Sequence, residues 1–523
     1  MTDLAIESPL VVASNRGPVS FTRDDDGEMV SARGSGGLVT ALAGVLFEAD
    51  ATWVASALTE GDREIAGSNR AIDVEPVGRM RFLDVPGDRY DGYYNGIANH
   101  ILWFLHHHLW EVATDPVFDE GTSRAWEDYR EVNRSFAVAL DAESARNPVY
   151  LVQDYHLSLV PGYLRELQPA ARITHFSHTP FVGPTFIRLL PDHVREALLL
   201  GMLGADVVGF QSEQWAENFL LCARDLPGAR VDLRRRRVAI DGRVVLVRSY
   251  PIALDPGPLR RTSGSAEVKQ LRKELEQWRG DAKLLLRVDR MELSKNVPRG
   301  FMAYELFLRE HPEWHGNVKF LALLPPSRTE IPEYAAYAER SFDEADRVNA
   351  KYGSDEWQPV EIRAKEDYVG AVAAYGLYDA LLVNPVFDGM NLVAMEGPLV
   401  NRRNGALVLS RNAGAYARLG RHAVPVNPFD LIETAEAIRF ALEMPDDQRA
   451  RRARGLARAV LAHSPARWLT TQLRDVDAAQ GLSVEFLQQR HERAGALHDE
   501  VGGFLEREGG LGSEHGDLHH DEP

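Results

Sequence analysis

Several residues that could carry chemistry in this sequence stand where an apolar run ends. Arg290 and Lys295 lie five apart in "RVDRMELSKN", directly after the run "KLLLRV", and Arg328 follows another run in "LPPSRTE". Two fixed cations after a strand suit a diphosphate whose negative charge grows as its bond to carbon breaks. Each alone could equally be a surface charge. Asp154 and His156 close the run "LVQDYH", and His178 closes the next, "ITHFSH". A carboxylate and an imidazole on neighbouring strand ends can bind sugar hydroxyls or assist proton transfer, or be hydrogen-bonded structural residues. In "NPVFDGMNLVAMEGPLV" an Asp-Gly turn at Asp388 and Gly389 follows "LYDALLV" and leads into a helix-like segment with one acid, Glu396. That arrangement predicts a bound ligand at the turn. Arg16 ends the first strand in "SNRGP", and Gly34, Gly36 and Gly37 precede a helix in "GSGGLVTAL". Bare amides at a helix start suit a pyrophosphate, though a tight loop would use the same glycines.

Positioning these residues takes parallel sheets. Short β-branched runs alternate with amphipathic stretches: "LVVAS" before "LVTALAGVLFEA", "PVYLVQDY" before "LVPGYLREL", then "ITHFSHTPF" and "ADVVGF" before "SEQWAENFLLCARDL". The alternation resumes in "KLLLRVDR", "VKFLALLPPSR", "PVEIRAKE", "YDALLVNP" and "GALVLS". It predicts an α/β fold of two doubly wound, Rossmann-like domains with a cleft between the carboxyl ends of their strands. The Pro-, Gly- and Ser-rich stretch Tyr250 to Glu267 marks the boundary. The expected division is 1–250, 251–455, a C-terminal helix over 456–480 returning to the first domain, and a tail over 481–523 that is helical and then disordered and acidic.

Composition narrows the function classes. A formal charge of −18 argues against a general nucleic-acid binder, and the run Arg234 to Arg237 reads as a solvated strand before an Asp241-Gly242 hairpin turn. Cys222 is the sole cysteine, so no internal disulfide can form. With no signal-like N-terminus and no long apolar run, a cytoplasmic protein without membrane spans is expected. His106, His107 and His108 are adjacent on a helix and do not share a face, so no metal is expected there. Tyr94 and Trp103, in the aromatic-rich "DGYYNGIANHILWFLHHHLW", could be core or a sugar-stacking platform.

In order, "SNRGP", "GSGGLVTAL", "YYNGIANHILW", "QDYHL", "HTPF", "LLGADVVGFQS", "YPIALD", "DRMELSKN", "PPSR", "DGMNLVAMEGPLV", "GALVLS" with "NAGA", and "VNPFDL" resemble the trehalose-6-phosphate synthase family, from about Leu10 to Leu473. These are retaining glycosyltransferases of the two-Rossmann-domain, GT-B type. The resemblance implies transfer of glucose from a nucleotide diphosphate glucose, usually UDP-glucose, to glucose 6-phosphate, with no metal and no cofactor. It implies that Gly36 and Gly37 approach the donor diphosphate, and that Arg290 and Lys295 hold it. The turn Asp388, Gly389, Met390, Asn391 and Leu392 would meet the donor glucose, the amides of Leu392 and Val393 the phosphates, and Glu396 the ribose. His178 would lie near the reacting carbon. Arg16, Tyr94, Asp154 and Arg328 would surround the acceptor, with Trp103 beside them. The catalytic group so implied is His178, Arg290, Lys295 and Asp388.

Three positions depart from the family pattern, the first of them near the acceptor site and the other two nearer to tuning than to chemistry. Ser56 stands where a second tryptophan is usual, Val182 where proline is common, and Met395 where lysine is common. The continuation "EGPLVNRRN" resembles relatives that couple a cyclitol, the validoxylamine phosphate synthases. Alternatives are therefore another phosphorylated acceptor, such as glycerol 3-phosphate or a cyclitol phosphate, or a catalytically silent sugar-phosphate-binding regulator. The Asp-X-Asp-X-Thr signature of a fused phosphatase is absent, so a separate phosphatase is expected downstream; a homo-oligomer is possible.

Overall fold

The structure, a computed structural model, describes residues 8–33, 51–68, 70–75, 78–143 and 145–509. The glycines Gly34, Gly36 and Gly37, the helix expected after them, and the tail from residue 510 lie outside the described residues.

Among the described residues, twelve strands fall in the first half: β1 (Leu10–Ser14), β2 (Val19–Arg23), β3 (Met29–Arg33), β4 (Ala51–Ser56), β5 (Ile72–Val74), β6 (Gly78–Leu83), β7 (Val149–Gln153), β8 (Arg172–Ser177), β9 (Val207–Phe210), β10 (Arg230–Asp232), β11 (Arg237–Ile240) and β12 (Arg243–Ser249). Ten of them form one sheet in the order β10-β11-β12-β9-β8-β7-β1-β4-β6-β5, while β2 and β3 make a separate hairpin. From β12 to β6 every pairing is parallel. Strands β1, β4 and β7 are buried at every position. That is why they read as unbroken apolar runs rather than alternating ones.

The second sheet holds β13 (Lys283–Val288), β14 (Val318–Leu323), β15 (Val360–Arg363), β16 (Ala380–Val383), β17 (Ala406–Ser410) and β18 (Val424–Val426), all parallel, in the order β15-β14-β13-β16-β17-β18. Numbered within this sheet the order is 3-2-1-4-5-6, which reverses direction between β13 and β16. A ligand crevice is expected outside the carboxyl ends of those two strands. The stretches predicted as strands here, "KLLLRVDR" through "GALVLS", are β13 to β17.

Two local outcomes differ from the sequence reading. The arginine run is not one strand: Arg234 to Arg236 form the turn of the β10–β11 hairpin, and Arg237 opens β11. Asp232 within that hairpin accepts from Arg235, and Arg236 pairs with Glu213, so local ion pairs fix the turn. The expected two-residue hairpin at Asp241-Gly242 is present, both residues at positive φ, joining β11 to β12. The aromatic-rich segment is not an ordinary helix. Gly92–Leu102 is wound as a π-helix and Trp103–His107 continues as α-helix. Within the Pro/Gly/Ser stretch read as a boundary, Pro256–Gly264 is helical, with Asp255 capping Gly257 N–H at 2.9 Å and proline in the first turn.

The chain passes between the sheets at Tyr250 to Leu254, and Tyr250, Ile252 and Leu254 belong to an apolar cluster that contains core residues of both. Helix Asp446–Leu461 packs on the helix Val393–Val400 of the second unit and runs through the 455/456 division expected from sequence. Helix Pro465–Gly509 then packs along β12, β8 and β9 of the first sheet. Trp468 Nε1 donates to the Tyr250 carbonyl at 2.9 Å, tying this helix to the crossing segment. Among the described residues no helix is long and apolar enough to cross a membrane.

Candidate active site

The crevice at the carboxyl ends of β13 and β16 is built from two loops. After β13, Leu293–Lys295 forms a single 3-10 turn closed by Asn296 in the left-handed conformation. This turn delivers Lys295 Nζ to Asp388 Oδ2 at 2.6 Å, and both side chains are nearly buried. Burial opposes charge on both groups, but their mutual attraction outweighs it: Lys295 titrates above its ordinary value and Asp388 below. Asn391 Nδ2 donates to the same Asp388 oxygen at 3.1 Å.

Arg290 pairs with Glu292 at 2.9 Å, keeping 54% of its side chain exposed, while Glu292 is fully buried. Burial pushes the Glu292 carboxyl up, yet Arg290, Arg328 and Lys295 hold it at about 2. Ser327 adds a hydroxyl donor at 2.9 Å. Glu292 thus gathers the cations of two loops around one fixed negative charge.

The turn after β16 is held by a second loop absent from the residue-based reading of chemistry, Asn412 to Ala415. Asp388 N–H donates to the Asn412 carbonyl at 3.2 Å, Gly414 N–H to the Asp388 carbonyl at 3.0 Å, and Ala415 N–H to the Met390 carbonyl at 2.8 Å. Asn391 sits at φ 75° and its Oδ1 takes Ala394 N–H at 3.1 Å, starting the helix Val393–Val400. The first-turn amides of Leu392 and Val393 have no acceptor earlier in the helix and lie beside Asp388 in the chain. Glu396, one turn on, receives the Tyr375 hydroxyl at 3.3 Å and is pushed up to about 7 by burial. Met390 is buried, so it serves as packing under the turn.

Gly389 touches the opposite unit. A Cβ there would overlap the carbonyl oxygen of His178, so the turn can meet the first sheet only because residue 389 is glycine. His178 follows β8. Its N–H donates to Asp154 Oδ1 at 3.0 Å, its Nε2 lies 3.1 Å from Gln153 Oε1, and its Nδ1 lies 3.2 Å from Gln211 Nε2. Burial lowers the imidazole to about 3, so it is neutral. Both ring nitrogens are engaged by the protein, so in this arrangement the imidazole presents no free nitrogen for proton transfer. Asp154 sits at φ 72°, with its carboxyl raised to about 6 by burial against the donors around it.

The remaining side chains form a second polar group. Arg328, at φ 48°, donates to the hydroxyls of Tyr334 at 2.6 Å and Tyr155 at 3.3 Å, and its guanidinium lies 4.0 Å from the Trp103 ring centroid. Trp103 is buried and stacked on His107 at 3.9 Å, so it is no open platform for a sugar; it carries Arg328. Tyr94 is likewise stacked, on Tyr90 at 5.3 Å and on His156 at 5.7 Å. What Tyr94 presents is its hydroxyl, which receives Arg16 Nη2 at 3.0 Å. Burial raises that hydroxyl, but the guanidiniums of Arg16 and Arg328 outweigh it and its pKa is lowered. His156, stripped of charge by burial, fills the space between Tyr94 and Tyr155. Ser56, at the end of β4, is buried and donates to Asn15 Oδ1 at 3.3 Å, an oxygen that also accepts from Tyr93 at 3.2 Å.

The structure therefore brings Arg290, Lys295, Asp388, Asn391 and the start of helix Val393–Val400 to one side of the cleft. Arg16, Tyr94, Asp154, His178 and, from the second unit, Arg328 stand on the other. Sequence reasoning missed Glu292, Gln153, Gln211 and Tyr155, and gave the Asn412 loop, quoted as "NAGA", no role of its own. A signal was available for two of them: Gln153 and Gln211, like Asp154 and His178, are polar residues at the carboxyl end of a buried strand.

The profile of glycosyltransferase family 20 matches residues 8–478. An Aspergillus fumigatus protein named alpha,alpha-trehalose-phosphate synthase [UDP-forming] 2 is 35% identical over 469 residues, spanning 88% of this chain and 95% of that one. A trehalose-6-phosphate protein from E. coli, solved with UDP-2-fluoro glucose, superposes with a TM-score of 0.78 at 27% identity, covering 90% of this chain and 99% of that one. A UDP-forming alpha,alpha-trehalose-phosphate synthase from Burkholderia xenovorans in complex with glucose-6-phosphate gives a TM-score of 0.78 at 25% identity, covering 90% and 100%. With this extent of match the chain belongs to glycosyltransferase family 20.

Proposed function

We propose that the protein transfers glucose, with retention, from UDP-glucose to glucose 6-phosphate, giving trehalose 6-phosphate and UDP. The observation that carries this reading is the presence of two separate sets of phosphate-matching cations in one cleft, Arg290 and Lys295 facing Arg16 and Arg328. Relatives whose names and ligands specify UDP-glucose chemistry and glucose 6-phosphate support the assignment of one set to each substrate.

In this reading residues 251–455 bind the nucleotide sugar and residues 1–250, joined by Arg328, the acceptor, with helix Pro465–Gly509 rather than one over 456–480 returning to the acceptor side. Gly36 and Gly37, which lie outside the described residues, are assigned to the donor diphosphate by the family pattern alone. Arg290, Lys295 and the amides of Leu392 and Val393 hold that diphosphate, and Glu396 takes the ribose hydroxyls. Asp388, with Gly389, Met390, Asn391 and Leu392 shaping its turn, binds the donor glucose. Arg16 and Arg328 hold the acceptor phosphate, Tyr94 and Asp154 its hydroxyls, and Trp103 supports Arg328.

The bond from the anomeric carbon to the diphosphate oxygen breaks as the acceptor oxygen bonds to that carbon on the same face. The acceptor proton passes to the departing phosphate oxygen, which Arg290 and Lys295 stabilise as charge develops. Asp388 is tied to Lys295 and is a hydroxyl acceptor rather than a nucleophile. His178 is neutral and acts by position. The cytoplasm, where both substrates are soluble phosphates, is the expected compartment.

A second reading rests on Ser56, whose small side chain borders the Asn15 and Tyr93 hydrogen bonds behind Arg16: the acceptor is a different phosphorylated polyol. Incubating UDP-glucose, GDP-glucose and ADP-glucose with glucose 6-phosphate, glycerol 3-phosphate and a cyclitol phosphate, with product identification, decides between them. Turnover only with a phosphate other than glucose 6-phosphate would reject the trehalose reading.

A further inference from the structure

Gln211, the first residue after β9, is 2% exposed and joins two places that no single element connects. Its Oε1 accepts the backbone N–H of Ile252, at 2.9 Å, within the segment that crosses between the sheets. A backbone N–H can only donate, so the oxygen of the Gln211 amide must face Ile252 and the NH2 must face His178. That NH2 lies 3.2 Å from His178 Nδ1. A side-chain NH2 can only donate in turn, so Nδ1 is the bare nitrogen and the ring proton resides on Nε2. Nε2–H then has its acceptor in place, Gln153 Oε1 at 3.1 Å. The chain of donors and acceptors from Ile252 through Gln211 and His178 to Gln153 admits one direction only.

The same crossing segment is gripped from the second unit. Arg418 donates to the carbonyls of Pro251 and Ile252, at 3.1 and 3.3 Å. His178, for its part, offers its carbonyl to the close approach of Gly389. Gln211 therefore stands between the segment that crosses between the two sheets and the residue at which the units touch.

We infer that Gln211 is a positioning residue of the transfer reaction, locking His178 in its neutral Nε2–H tautomer and registering it with the crossing segment. The inference rests on the proposed function for His178's place beside the reacting carbon. A glutamate at position 211 keeps an acceptor for Ile252 N–H and, when ionised, turns an acceptor toward Nδ1, which draws a proton onto that nitrogen; a protonated Glu side chain would instead donate to Nδ1 as the amide does, and Gln211→Met then supplies the kinetic arm. A glutamate at position 153 faces Nε2–H and leaves Nδ1 bare.

The test is 15N–1H NMR of the ring nitrogens in full-length protein labelled at histidine, His178 being identified by the signals lost in His178→Asn. At neutral pH the wild-type ring is expected to show a proton on Nε2 alone. Gln211→Glu should protonate Nδ1 and lower kcat by about tenfold or more through misplacement, with KM for UDP-glucose changed less than about threefold. Gln153→Glu should keep Nδ1 bare. An Nδ1–H or doubly protonated ring in wild type overturns the inference. So does a Gln211→Glu enzyme whose ring changes tautomer while kcat stays within about twofold of wild type. If Gln211→Glu does not fold, the wild-type and Gln153→Glu spectra still decide the tautomer, and Gln211→Met, which removes both hydrogen bonds, supplies the kinetic arm. Calorimetry of UDP binding to wild type separates the two levels: lack of UDP binding rejects the proposed function, whereas a wrong tautomer in a UDP-binding protein rejects the role of Gln211 alone.

Discussion

Arg290→Ala separates a side chain's chemical contribution from its structural one. The Arg290 side chain is 54% exposed, so its 2.9 Å pair with Glu292 contributes at most about 1 kcal/mol to folding. Glu292 itself is buried and sits at about 2 because burial is outweighed by Arg290, Arg328 and Lys295. Removing Arg290 leaves two of those cations and the Ser327 hydroxyl at 2.9 Å, so the carboxylate stays paired. Stability should fall by about 1 kcal/mol, visible as a small shift in Tm. Turnover should fall far more, because a fixed donor to an oxygen that gains charge in the transition state is worth about 100- to 1000-fold in kcat. That is about 3 to 4 kcal/mol at ~1.4 kcal/mol per decade. UDP release from UDP-glucose and glucose 6-phosphate, followed alongside thermal unfolding, reads both quantities. Arg290→Lys, which keeps charge but loses the planar fork, should lie between wild type and alanine. An alanine variant with activity within about tenfold of wild type and unchanged stability would remove Arg290 from the diphosphate.

Gly389→Ala should abolish turnover while leaving UDP binding within about tenfold, since the added Cβ overlaps the His178 carbonyl across the cleft; an active alanine variant would mean that the two units do not meet there during catalysis. Glu396 is raised by burial from 4.5 to about 7, so its contribution to folding is complete below pH 4.5 and is lost as pH rises through about 7. Glu396→Gln should flatten the fall in Tm over that window in the UDP-free protein, and an unchanged slope would contradict the burial argument. Arg16→Ala should raise KM for glucose 6-phosphate by about tenfold or more with kcat and the UDP-glucose KM little changed; a selective rise in the donor KM would exchange the two phosphate sites.

How much of this was legible in the sequence follows from burial. Strands such as β7 and β16 are buried on both faces, so they are unbroken apolar runs and the residue that ends each run stands out. The loop cations, Asp388 and Glu396 were found on that basis. Strand β6 alternates between buried and partly exposed positions and β18 is three residues around Pro425, so neither gives a comparable run. The π-helix was not legible because "YYNGIANHIL" has the apolar spacing of an ordinary helix. Gln153 and Gln211 carry no charge and lie 58 positions apart (211 − 153); only the order β9-β8-β7 brings them to either side of His178.

Backbone conformation marks the same cleft independently. Four non-glycine residues with positive φ, Asp154, Asn296, Arg328 and Asn391, border it. Asparagine and aspartate tolerate that region through local hydrogen bonds, as Asn391 does with Ala394 N–H. Arg328 has no such compensation from its own side chain, and holding it at φ 48° costs about 1 to 2 kcal/mol. The cost is offset by Trp103, Tyr334 and Tyr155, all of which engage its guanidinium rather than its backbone. Two of those three, Trp103 and Tyr155, come from the first unit. The strained residue of the second unit is thus held in place by the first, so the acceptor-side group is complete only when the two units are together.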